Sequence, residues 1–309
     1  MGTSEVILVG VDGSKESYAA VKWAAERSKV RDCRLHIICT YAVASYAAAT
    51  LDGGYAVLDD AALKEGASQI VQQGVDLARE IGATNVHGVV EAGDPAGILI
   101  DMSKEVDLIV VGSRGGGGFA DRLLGTVSSA LPAHAKCPVV IVPRHTSGKG
   151  FTPVERIVVG SDGSEGATSA LKRAIDEAEL WDARLTAVAA VPMATGTTMM
   201  AWLHANIDRD PMLKDVKEGL DAAVDQALDG RSRKVARHAL DGSPSSLLIE
   251  FSTAVDLVVV GTRGRGGFAG ILLGSTSQTV IAHSTCPVMV VPSKHHDVLP
   301  DPAQEWTRR

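Results

Sequence analysis

The chain has 309 residues, a mass of 32.2 kDa and a formal net charge of −7. At ~100–200 residues per domain this length predicts about two domains. Hydrophobic residues make up 45% and charged residues 22%, values that exclude a disordered, collagen-like or disulfide-scaffold chain, and the acidic balance argues against broad nucleic-acid binding.

In chain order, Met1 to Glu5 leads straight into a strand pattern, so no leader is expected. Val6–Val11 reads as a strand, Lys15–Arg31 as a helix and Arg34–Tyr41 as the second strand. Ala19, Ala20, Trp23 and Ala24 give that helix its apolar face. Ala61–Ile81 is helical, Asn85–Glu91 a third strand, Pro95–Lys104 a helix and Asp107–Gly112 a fourth strand. Ser128–His134 is mostly helix and Val139–Pro143 the last strand. No apolar run approaches the ~20 residues of a membrane helix. With four scattered cysteines and no CxxC, the protein is expected to be cytoplasmic.

The same pattern then recurs. Gly10, Asp12, Gly13 and Ser14 return as Gly160, Asp162, Gly163 and Ser164. Val106–Pro143 and Val255–Pro292 agree at about 23 of 38 positions. The chain is therefore two copies of one domain. We place them at 1–146 and 154–294, with a linker at 147–153 reading SGKGFTP and a tail at 295–309. Alternating strands and helices predict a parallel sheet with helices on both faces. DLIVVG and DLVVVG are unbroken apolar runs, expected to be central strands. The last strands, VVIVP and VMVVP, are short, apolar and uncovered. Pairing of these edges between copies or chains would remove that hazard.

In such sheets ligands bind beyond the carboxyl ends of the strands. Two loops there carry suitable chemistry. Gly112-Ser-Arg-Gly115 is followed by nine residues and Gly125-Thr126; Gly261-Thr-Arg-Gly264 is followed by nine and Gly274-Ser275. Glycines permit close approach and positive φ, and amides at a helix start favour phosphate. The plainer reading is a glycine turn with a Ser/Thr cap.

The paired G-x2-G-x9-G-[S/T] motifs, after VDGS and SDGS on first strands, resemble the ATP-binding subgroup of the universal stress protein family. The resemblance implies two tandem Rossmann-like domains of the adenine nucleotide alpha hydrolase type. Each would have a five-stranded parallel sheet of order 3-2-1-4-5, one ATP with Mg²⁺, and dimerisation through the last strand. It implies that Gly112, Gly115, Gly125 and Thr126 hold ribose and phosphates in the first copy, with Val127 and Ser128 beside them. In the second copy Gly261, Gly264, Gly274 and Ser275 do so, with Thr276 and Ser277. Asp12 and Asp162 would face the nucleotide or its Mg²⁺; otherwise each forms an Asx turn. Val11, Thr40, Ser161 and Ala190 would wall the adenine. Arg114 and Arg263 neutralise phosphate or face water.

Other chemistries fit less well. There is no GxxxxGK[ST], and Gly264-Arg-Gly266-Gly-Phe-Ala269 follows a fourth strand rather than opening a domain. His134 and His283 sit at equivalent helix ends without ligand partners. No residue set supplies a base aimed at an attacking water. The expectation is a nucleotide-dependent stress-response or growth regulator. The alternatives are a slow ATPase or autophosphorylating enzyme, with Thr126, Ser128, Ser275 or Ser277 as acceptors, and a nucleotide-free scaffold. The loops Ala42–Asp60 and Pro192–Met212 are read as lids.

Overall fold

The computed structural model describes residues 5–41, 60–116, 123–144, 150–191, 210–265 and 272–293. It divides into two compact units, Met1–Gly148 and Lys149–His295. The proposed tail, much of the linker and nearly all of both lid loops lie outside the described residues.

The first unit contains β1 (Val6–Gly10), α1 (Lys15–Arg31), β2 (Arg34–Tyr41), α2 (Asp60–Ile81), β3 (Val86–Ala92), α3 (Pro95–Met102), β4 (Leu108–Gly112), α4 (Thr126–His134) and β5 (Val139–Val142). Its strands run in the order β3-β2-β1-β4-β5, and every pairing is parallel. The second unit contains β6 (Arg156–Gly160), α5 (Glu165–Trp181), β7 (Arg184–Val191), α6 (Asp210–Leu228), β8 (Val235–Asp241), α7 (Pro244–Ser252), β9 (Leu257–Gly261), α8 (Ser275–His283) and β10 (Val288–Val291). Its order is β8-β7-β6-β9-β10, again parallel. The expected class, two tandem α/β domains with parallel sheets, is what is found.

Local chemistry explains the element boundaries. Ser14 and Ser164 cap α1 and α5 by accepting from Ser17 N and Ala167 N. Asp32 and Asp182 close the same helices in the left-handed conformation. The unbroken runs LIVVG and LVVVG become β4 and β9, buried along four of five residues. The edge strands β3 and β8 are largely exposed or half-buried. Helix α1 packs on α2, and α3 on α4, each pair laid against the strands.

Beneath the first sheet, Arg27 is 1% exposed and meets Glu5 at 2.8 Å. The second unit keeps a buried pair within one helix, Arg173 with Glu177 at 2.8 Å. The basic stretch Arg231–His238 is not a free cationic surface. Arg231 reaches Asp176 at 2.6 Å, Arg233 reaches Asp182 at 3.2 Å and Arg237 reaches Asp225 at 2.5 Å. All four cysteines are buried; burial pushes the thiols of Cys33 and Cys286 up to about 12 and that of Cys39 to about 11. They behave as small core residues, as the sequence suggests for Cys137 and Cys286.

Candidate functional site

In each unit the chain passes from one side of β1 to the other between β2 and β4, so the strand order reverses beside β1. The crevice beyond the carboxyl ends of β1 and β4, or β6 and β9, is where such a sheet receives ligands. In the second unit this crevice is a cavity of about 880 Å³. That is within the roughly 300–1,000 Å³ of small-molecule sites. Ser161, Asp162, Ala190, Gly261, Arg263, Gly264, Gly274, Ser275, Thr276 and Ser277 all line it. These are the ten positions that the sequence nominates in that copy.

The three motif glycines have three different local reasons. A Cβ on Gly112 would stand 2.7 Å from the Glu16 backbone, and one on Gly261 2.7 Å from the Gly166 backbone. The first glycine therefore lets a strand end approach a helix. A Cβ on Gly115 would collide with Asp12 Oδ2, and one on Gly264 with Asp162 Oδ2. The second glycine makes room for a carboxylate. Neither has positive φ; in this neighbourhood that conformation belongs to Gly13 and Gly163, at +82° and +77°. This corrects the expectation that the motif glycines supply it.

The third glycine differs. Gly125 and Gly274 are the N-caps of α4 and α8, with extended backbones and no side-chain cap. Both helices start two residues earlier than Ser128–His134 predicts, so Thr126, Val127 and Ser128, like Ser275, Thr276 and Ser277, form the first turn. A Cβ on Gly125 or Gly274 would meet nothing nearer than 3.5 Å. Among the described residues no steric contact excludes a side chain there; the N-cap position itself favours glycine. First-turn amides without an intrahelical partner are what such a start offers to an anion.

Ser128 and Ser277 are buried. Their hydroxyls donate to Ser113 O and Gly261 O, each at 2.7 Å, tying the helix start to the loop. With the only hydroxyl proton so placed, they offer a phosphate their backbone amides alone. Thr126 and Ser275 are exposed. Arg114 Nε donates to Leu123 O at 3.3 Å, whereas Arg263 is exposed on the cavity wall.

Asp12 Oδ1 accepts from Ser14 N at 3.0 Å and Ser14 Oγ at 2.6 Å; Oδ2 accepts from Gly116 N at 2.8 Å. Asp162 accepts likewise from Ser164 N at 3.0 Å and Arg265 N at 2.8 Å. Burial works to raise the Asp162 carboxyl. Hydrogen bonds from Ser164 and the Arg265 amide, with the Arg265 charge, outweigh it and hold it below its ordinary value. Each carboxylate thus forms the Asx turn and also clamps the glycine loop. No cluster of three His, Cys, Asp or Glu side chains suited to a metal occurs among the described residues. Asp162 accepts from two N–H donors and Asp12 from three donors, so each carboxylate keeps lone-pair capacity toward a Mg²⁺ carried by ATP.

Val11 is buried, with its amide on Ile38 O at 2.8 Å, and Ser161 repeats this with Val188 O at 2.9 Å. Thr40 lies near the carboxyl end of β2, opposite Glu91; Ala190 holds that place in β7. Sequence reasoning missed Arg265 and the α6 wall of Met212, Asp215, Val216, Gly219 and Leu220. The Pro192–Met212 loop ends early, because α6 already begins at Asp210. Arg265 left a signal, since it stands where the first copy has Gly116.

The family model described as "Universal stress protein family" matches residues 3–143 and again 153–292. The chain belongs to the universal stress protein family. A universal stress protein of Mycobacterium tuberculosis is 31% identical over 304 residues, covering 92% of this chain and 95% of that one. One from Mycolicibacterium smegmatis is 32% identical over 300 residues, covering 92% and 96%. The crystal structure of an Archaeoglobus fulgidus universal stress protein, 21% identical, superposes with a TM-score of 0.69 over 95% of this chain and all of that one. These relatives span both units, so the tandem architecture is that of full-length universal stress proteins. Among the described residues, no helix is long and apolar enough to cross a membrane.

Proposed function

We propose that each unit of this universal stress protein binds one ATP, and that the loaded chain acts as a cytoplasmic regulator in stress response or growth. One observation carries the reading: the ten nominated residues of the second unit line a single cavity of nucleotide size. The glycine N-caps support it, because a helix start with no side-chain cap leaves its first-turn amides open to a phosphate. Mg²⁺ enters on the phosphates of ATP, with Asp12 or Asp162 as the carboxylate facing it. The last strand of each unit, β5 or β10, is short and apolar, and its edge suits pairing between the copies or between chains of a homodimer. Regulation then requires ATP to bind two conformations, or two assemblies, unequally.

The test is mass spectrometry of nucleotide released from purified protein, with titration calorimetry on the emptied chain. Two intact ATP per chain is the expected result. Release of ADP with a phosphorylated chain would favour the turnover alternative instead. Absence of nucleotide together with no calorimetric binding would refute the reading and leave a scaffold.

A further inference from the structure

The two units share one design, but the cover over one glycine differs. Gly13 and Gly163 each follow the aspartate of the first strand. In the first unit Ile70 of α2 covers Gly13, with Cδ1 3.3 Å from the place a Cβ would take. In the second unit the Arg265 guanidinium covers Gly163, with Cζ 3.2 Å from the equivalent place. The exchange is reciprocal in sequence. Ile70 precedes Val86, the start of β3, by 16 residues (86 − 70), and Gly219 precedes Val235, the start of β8, by 16 (235 − 219). Buried positions confirm this alignment: Val71, Val75 and Ala78 of α2 match Leu220, Val224 and Ala227 of α6. The first unit thus pairs Ile70 with Gly116, and the second pairs Gly219 with Arg265. Among the described residues a Cβ on Gly219 meets nothing within 4 Å, where the first unit has an isoleucine.

Backbone roles are unchanged by the exchange. Gly116 N and Arg265 N each donate at 2.8 Å to the aspartate of their unit. What differs is the lining: an isoleucine side chain in one unit, a planar cation in the other. Arg265 lines the same cavity as Ser275 and Thr276, and Gly264, its neighbour, lies beside the α8 cap: a Cβ on Gly274 would stand 3.8 Å from Gly264 N. The other charged side chains on that wall are Asp162, Arg263 and Asp215.

We infer that Arg265 makes the second unit's site the more selective of the two for the number of phosphates on its nucleotide. The inference rests on the nucleotide reading above. The helix-start amides are common to both units and cannot produce a difference between them. A guanidinium fork binds phosphate oxygens in pairs and gains with each added charge. Ile70 contributes apolar contact that does not depend on phosphate number.

The experiment is photolabelling of the full chain with 2-azido-ATP, mapping labelled peptides to each half and competing with ATP, ADP and AMP. A charge-assisted hydrogen bond corresponds to a factor of about 10–100. The ratio of ATP to AMP affinity in the second half is therefore expected to exceed that in the first about tenfold or more. Arg265→Gly should erase the excess. The double variant Ile70→Gly/Gly116→Arg should create it in the first half, where a Cβ on Gly116 meets nothing nearer than 4.0 Å. Equal ratios in the two halves of the unaltered chain, or an unchanged ratio in Arg265→Gly, would overturn the inference while leaving nucleotide binding intact. Absence of competable labelling in both halves would refute the nucleotide reading itself, and the inference with it.

Discussion

Replacing Gly264 by Ala places a methyl group where Asp162 Oδ2 now lies. The backbone at Gly264 does not require positive φ, so the cost is the collision alone. Either the loop or the carboxylate must move, which strains or breaks the bonds from Arg265 N and Ser164 N. A hydrogen bond to a charged group contributes about 1.5–3 kcal/mol, and exposure at this rim favours the low end. Gly264→Ala should therefore cost about 1–2 kcal/mol, and Asp162→Ala about the same through loss of the same bonds. The double variant is the discriminating one. With the carboxylate gone the new methyl meets no obstacle, so it should be no less stable than Asp162→Ala. The two substitutions should fall short of additivity by about 1–2 kcal/mol. Denaturant titrations read by hydrogen exchange in β6 and β9 peptides report the second unit alone. Costs that simply add would refute a carboxylate clamp as the reason for this glycine.

Gly274→Ala should cost no more than about 1 kcal/mol, the loss of glycine at an N-cap, since its methyl meets only ordinary contacts. It should nevertheless reduce ATP stoichiometry in calorimetry from two toward one; retained stoichiometry would remove the main support for a phosphate at α8. His36 is 8% exposed, and burial, aided by His87 and Arg34, lowers it to about 4. The unfolded chain binds that proton from about pH 6.5 downward, so stability is full above 6.5 and falls until about pH 4, by roughly 3 kcal/mol. His36→Thr, the residue at the matching place in β7, should flatten that limb in urea midpoints measured between pH 7 and 4.5. Arg27→Met leaves Glu5 without its closest cation and should cost about 3–5 kcal/mol, visible as a lower melting temperature.

Much of this was legible in the sequence because the signals are local. An unbroken run such as LIVVG can only be covered on both faces, and it became the strand beside β1. Two copies of one motif at one spacing pointed to loops that line the second cavity. The α6 wall was not legible, because Asp215 and Gly219 reach the cavity through the packing of a helix against the sheet, which no local pattern displays. Arg265 was passed over for a related reason. Its importance depends on what is missing at Gly219, 46 residues earlier (265 − 219), and no local pattern links the two.

The glycine motif shows why a correct match can carry a wrong explanation. Read as a string, G-x2-G-x9-G suggests one cause, amides bared to an anion. In the structure the first glycine answers to helix backbone and the second to a carboxylate, both intramolecular demands that hold with or without ligand. Only the third meets no close contact among the described residues. A site in which every glycine were accounted for internally would be compatible with a scaffold that binds nothing. Gly125 and Gly274 each open a helix with no side-chain cap, a place where glycine is favoured in its own right and where it also leaves the first-turn amides open to an anion. That open helix start, repeated in both units, supports the proposed anion site independently of the motif match.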